Sequence, residues 1–111
     1  MWDDIRYDAE NYNCVHFLVD AHNHYTAINI SDKLLNGGFD NVQNVRNFKR
    51  IKEPQPFCVV LFRDKSRAHV GLWFEGRVLH LDKDGVVWQS LTVAQLGFDK
   101  VVFYEVAKTL S

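Results

Sequence analysis

Apolar positions recur at intervals of three and four in the first half of the chain and at intervals of two from residue 57 onward. The first spacing is that of an α-helix and the second that of a half-buried strand. Cys14, Phe17, Leu18 and Ala21 fall at i, i+3, i+4 and i+7, which predicts a helix burying one stripe. Asn13 stands where its side chain can accept a hydrogen bond from an early helical N–H, so the helix should open at Cys14 and run to about His22 or His24. Ser31 and Asp32 can cap a short helix ending at Gly37 and Gly38. Val42, Val45, Phe48 and Ile51 recur at spacing three and predict another amphipathic helix, stopped by Pro54 and Pro56. Beyond the prolines the alternation predicts strands over residues 57–63, 68–74, 77–81, 86–91 and 101–106. Asp84-Gly85 is a hairpin-turn signal, and one helical turn is expected over residues 92–96, closed by Gly97. Helices first and a meander second make an α+β domain, its N-terminal helices packed on a five-stranded antiparallel sheet.

Composition narrows the class. At 111 residues, 47% hydrophobic and 14% aromatic, the chain is expected to form one domain over residues 1–111 with a bulky core. A net charge of -1 lacks the basic footprint of a nucleic-acid binder, and the small cluster Arg46, Lys49, Arg50 and Lys52 reads as a solvated helix face. Residues 1–6 have neither a basic nor an apolar leader pattern, and no run approaches the 18 apolar residues of a membrane span. The expectation is synthesis in the cytoplasm without a signal peptide and without membrane insertion. Two cysteines make no disulfide framework, although a Cys14–Cys58 bridge stays open; Cys58, inside an apolar strand pattern, reads as packing.

Cys14 is the candidate with chemistry. A helix N-terminus offers free N–H groups and a partial positive charge, which favour thiolate over thiol and predict a lowered pKa. The hairpin over residues 68–81 supplies imidazoles. With Glu75-Gly76 as a two-residue loop, Phe74 pairs with Arg77, Trp73 with Val78, Leu72 with Leu79 and Gly71 with His80. His69, Gly71 and Trp73 then share a face with Val78 and His80, and the two histidines are diagonal neighbours roughly 7 Å apart at Cα. The turn places a Glu where positive φ is needed, and a three-residue loop would send His80 to the opposite face. In this register Cys14 is the nucleophile, His69 the base, and His80 the group that orients His69. His22 and His24 near Asp20 offer a competing zinc reading, but no second ligand pair has a recognisable spacing, so neither metal nor cofactor is expected. His16 and Asp20, at i and i+4, read as a local pair.

The order of these elements resembles the NlpC-type cysteine peptidases, papain-like enzymes that cut peptidoglycan stem peptides. The helix-opening Cys14 matches the family nucleophile, His69-Val70-Gly71 its catalytic strand, and His80 its third residue, over roughly residues 7–106. Tyr12-Asn13-Cys14-Val15-His16-Phe17, Gly76-Arg77-Val78-Leu79-His80-Leu81 and Phe98-Asp99-Lys100-Val101-Val102-Phe103-Tyr104 look like the small tail-associated members of bacteriophages. The resemblance implies a cysteine peptidase acting on peptidoglycan stem peptides, with other phage tail proteins as partners and the virion tail as destination. It also implies substrate contacts near the thiol, for which Tyr7, Tyr12 and Asn13 stand upstream and Gly71 and Trp73 on the histidine strand. Cell-wall members read Asp-Cys-Ser at the nucleophile, where this chain has Asn13-Cys14-Val15, which argues against tight recognition of a free amine. Asn-Cys-x-His-Phe also resembles the lecithin:retinol acyltransferase-like proteins, which place their histidine motif before the cysteine. A thiol acyltransferase or thioesterase, or an inactive structural tail module, is therefore the alternative.

Overall fold

The computed structural model describes residues 2–30 and 48–106. The expected helix at Ser31–Gly38, and Val42 and Val45 of the next one, lie outside them. Helix α1 spans Cys14–Tyr25 and begins where the cap signal placed it. Asn13 is the N-cap, its side-chain oxygen accepting from the Val15 N–H at 3.0 Å. In return, Nδ1 of His16 accepts from the Asn13 N–H at 3.1 Å. That reciprocal box satisfies donors a helix start would otherwise leave open. It also changes the local pairing: Asp20 accepts from the Tyr12 hydroxyl at 2.6 Å, so the expected His16–Asp20 pair gives way to two separate contacts.

The sheet has six strands rather than five: β1 (Phe48–Ile51), β2 (Val59–Arg63), β3 (Ala68–Phe74), β4 (Arg77–Asp82), β5 (Gly85–Gln89) and β6 (Lys100–Val106). Their order is β1-β6-β2-β3-β4-β5, every neighbour antiparallel. The added strand occupies residues whose spacing predicted helix. Phe48 and Ile51 would share a helical face, but as strand residues they point to opposite sides: Phe48 enters the core under α1 and Ile51 packs on the other face. Pairing of Phe48 with Val106 and Ile51 with Phe103 overrides the weak local signal. Lys49 and Arg50 are accordingly exposed residues of an edge strand, not of a helix.

Three further boundaries differ. Phe57 and Cys58 both face Trp73, the Phe57 N–H donating to its carbonyl and its own N–H donating to Cys58. This bulge puts Phe57 at φ 64 and delays β2 to Val59. In the β4–β5 hairpin Asp82 pairs with Gly85, so the loop is Lys83-Asp84 and the glycine, at φ 122, starts the strand. Leu91 leaves β5 to open the short helix α2 (Leu91–Ala94), capped by Ser90.

Alternation divides the core. Val59, Leu61, Val70, Leu72, Leu79 and Leu81 meet Phe17, Leu18 and Ala21 of α1 on one face. Cys58, Val60, Phe62, Val78 and Phe103 meet Ala94 and Phe98 on the other. Both cysteines are free thiols, and Cys58 is buried in this second cluster.

Candidate active site

The β3–β4 hairpin has the register that the two-residue loop predicts. Leu72 pairs with Leu79, Trp73 with Val78 and Phe74 with Arg77, while Glu75 and Gly76 turn the chain at φ 48 and 80. Positive φ at both positions is the type I′ requirement, and Glu75 accepts it despite its side chain. With the parity fixed, His69 and His80 fall on one face, and Nε2 of His69 lies 2.7 Å from Nδ1 of His80. Their rings meet edge to face at 4.9 Å. Gly71 makes room for this contact. A Cβ there would come within 2.7 Å of Cγ1 of Val78 and 3.1 Å of Cβ of His80.

Cys14 opens α1, while His69 stands near the start of β3 and His80 near the end of β4. All three line a cavity of about 380 Å³. The histidines belong to the sheet face opposite α1: His69 pairs with Phe62 across β2 and stacks on Phe98 at 6.2 Å, 18° from parallel. The cavity therefore joins the two faces around the sheet end instead of lying within either. Among the described residues no hydrogen bond links Cys14 to His69; the backbone N–H groups of Val70, Cys14 and Val15 act on the thiol in the direction that favours thiolate.

Burial outweighs those donors and pushes the Cys14 thiol up from its ordinary value, against the expected lowering. The N–H groups act in the predicted direction, but a sulfur withdrawn from water loses more hydration than they return. Cys58 is also raised, again chiefly by burial. Burial, followed by the neighbouring His80, lowers His69 to about 4, with Asp82 opposing. His80 is lowered by burial, with its hydrogen bond to Gln89 opposing. At neutral pH the resting site thus holds a thiol beside neutral imidazoles.

Of the expected substrate contacts, Tyr7 lines the cavity. Tyr12 does not: its hydroxyl is taken by Asp20, its ring stacks on His16, and burial with the adjacent carboxylate raises the phenol. Asn13 is occupied in the cap. Gly71 serves as the gap between Val78 and His80, and Trp73 packs edge-on against Phe103 away from the cavity. His22 is buried and bonded to Asn23 and Thr26, whereas His24 is exposed and packs against Trp2 and Tyr25. Among the described residues no group of three side chains could hold a metal ion.

Several lining residues carried no sequence signal of their own. Gln89 accepts from Nε2 of His80 at 2.9 Å and became visible only with the β4–β5 register, which pairs it with Val78 beside His80. Arg67 lies 4.4 Å over the Phe98 ring that backs His69, its guanidinium bonded to Asp64 and to the Gly97 carbonyl. Val93 and Leu96, exposed to 48% and 73%, rim the cavity with Tyr7. No protein-family model matches the sequence, and no curated protein matches it. No helix among the described residues is long and apolar enough to cross a membrane.

Proposed function

We propose that the chain is a papain-like thiol hydrolase that cuts peptide bonds in peptidoglycan stem peptides as part of a bacteriophage tail. The observation that carries the chemistry is one cavity lined by a helix-opening cysteine and an imidazole pair joined at 2.7 Å. The substrate and the setting rest on the order of motifs around those residues.

In the reaction, the Cys14 sulfur attacks the scissile carbonyl carbon as His69 takes the thiol proton. The carbonyl oxygen becomes an oxyanion, for which the backbone N–H groups of Cys14 and Val70, both of which act on the thiol, are the candidate donors. The C–N bond then breaks as the imidazolium returns its proton to the leaving amine. Water, deprotonated by His69, hydrolyses the thioester and restores the thiol. Because both partners rest neutral, proton transfer accompanies attack instead of preceding it. Asn13 is committed to the cap and Val15 has no polar group, so recognition of a free amine at the nucleophile has little support, and stems still attached to glycan are the expected substrate.

The apolar rim of Tyr7, Val93 and Leu96 favours a second reading, in which a thioester or acyl chain lies over the sulfur. Purified sacculi, free stem peptides and an acyl thioester should each be incubated with wild type, Cys14→Ser and His69→Ala, and the products followed by mass spectrometry. The proposal expects peptide cleavage from sacculi that is absent in Cys14→Ser and reduced about 10²- to 10⁴-fold in His69→Ala. Thioester turnover without peptide cleavage would select the second reading. Turnover of none of the three substrates would leave an inactive tail module.

A further inference from the structure

Gln89 stands beside the reacting groups without reaching the sulfur, and its hydrogen bond restricts where protons can lie. Its Oε1 is 2.9 Å from Nε2 of His80. A side-chain amide oxygen can only accept, so that nitrogen must carry a hydrogen. A neutral imidazole has one N–H, which leaves Nδ1 of His80 with a lone pair. That lone pair lies 2.7 Å from Nε2 of His69, a separation that needs a proton between the two nitrogens, and only His69 can supply it. The remaining nitrogen of His69, Nδ1, then keeps the lone pair that this relay leaves open. Each link follows from the one before, beginning at a single amide oxygen.

We infer that Gln89 is a positioning residue which, acting through His80, holds His69 as the Nε2–H tautomer with Nδ1 open to receive a proton. In the proposed hydrolase that proton is the one on Cys14, and this last step rests on that reading. Turning the amide over would reverse every link: its N–H would donate to His80, His80 to His69, and His69 would present an N–H where a base is required. The backbone fixes where the amide lies, and the contact of Oε1 with His80 fixes which way it faces. Gln89 is the last residue of β5, in register with Val78, and shares the face of Val78 and His80. His80 is buried, so Gln89 is the partner that serves its outer nitrogen. Burial keeps both imidazoles neutral near pH 7, the condition under which a tautomer has meaning.

The test reads tautomers directly. Protein with ¹⁵N-labelled histidine rings is examined by long-range ¹H–¹⁵N NMR at pH 7 as wild type, Gln89→Leu and Gln89→Glu. Wild type is expected to show protonated Nε2 and bare Nδ1 on both His69 and His80. Gln89→Leu removes the acceptor and should shift both rings toward mixed tautomers. Gln89→Glu keeps an acceptor at the same reach and should restore the wild-type pattern. If sacculi are cut, Gln89→Leu lowers kcat by at least about 10-fold with KM little changed, short of the roughly 10⁴-fold cost of a fully wrong tautomer. The inference is overturned by an Nδ1–H on His69 in wild type, or by tautomers that Gln89→Leu leaves unmoved. The NMR pattern does not depend on turnover, so the expected tautomers in a protein that cuts nothing would support this relay while the hydrolase reading fell.

Discussion

Val59, Leu61, Val70, Leu72, Leu79 and Leu81 point from β2, β3 and β4 toward α1, while Val60, Phe62, His69, Gly71, Val78 and His80 point from the same three strands to the other side. The first set is apolar throughout and closed by Phe17, Leu18 and Ala21. The second is apolar at Val60, Phe62 and Val78 and ends in two imidazoles. The contrast shows how a small sheet can hold buried polar chemistry. Each strand is secured from the α1 side and, on the other, by Val60, Phe62 and Val78, which leaves His69 and His80 to carry the polar side chains. The histidines lose hydration, which lowers His69 and His80, and recover part of it through their mutual bond and Gln89.

This division predicts which substitutions cost stability and which act on the imidazole pair. Leu72 is fully buried on the α1 face, so Leu72→Ala should cost roughly 2–5 kcal/mol in urea unfolding. Labelling of Cys14 by iodoacetamide in the folded protein should stay as in wild type. A loss of stability no larger than that of His69→Ala would break the comparison.

Gly71→Ala tests the opposite face at its tightest point. The added methyl meets Cγ1 of Val78 at 2.7 Å, Cβ of His80 at 3.1 Å and the Leu79 carbonyl at 3.2 Å, so Val78 must turn or β3 and β4 must separate. About 1–3 kcal/mol of stability should be lost, and the ¹⁵N signature of the His69–His80 bond with it. Retention of that signature would show that the two rings do not need the gap.

The smallest effect is one of pH. His69 sits at about 4 in the fold against about 6.5 when unfolded. Between those values the unfolded chain binds the extra proton, so the stability tied to His69 is present above pH 6.5 and is lost as the pH falls toward 4. From pH 7 to pH 5 this loss should be on the order of 1 kcal/mol, and it should shrink in His69→Gln. An identical pH slope in the variant would place His69 in water. Asp64, held down to about 2 by Arg67 and neighbouring N–H groups, stays ionised over that window and does not blur the result.

The parts of this molecule legible in its sequence are those fixed by counting. Asn13 before an apolar stripe set the start of α1, and two residues between Phe74 and Arg77 put His69 and His80 together. Strand β1 was hidden because Phe48 and Ile51 are three apart, a spacing with opposite meanings in helix and strand, and only pairing with β6 decides between them. The charge state of Cys14 was hidden for a different reason. A helix terminus can be read locally, whereas the depth at which its first residue is buried depends on β3 and β4. Gln89 needed the Lys83-Asp84 loop to be placed correctly before its side could be assigned.

The Glu75-Gly76 turn has a consequence for how such a site could be gained or lost. Strand faces follow odd and even, so the meeting of His69 with His80 is a matter of parity decided at a loop several residues from either ring. One residue inserted there, relieving the left-handed Glu75 at φ 48, would send His80 beneath α1 and turn Leu79 and Leu81 out of the core that α1 closes. Parity therefore ties the imidazole pair to the core: a change at that loop that parts His69 from His80 also costs β4 its apolar contacts with α1.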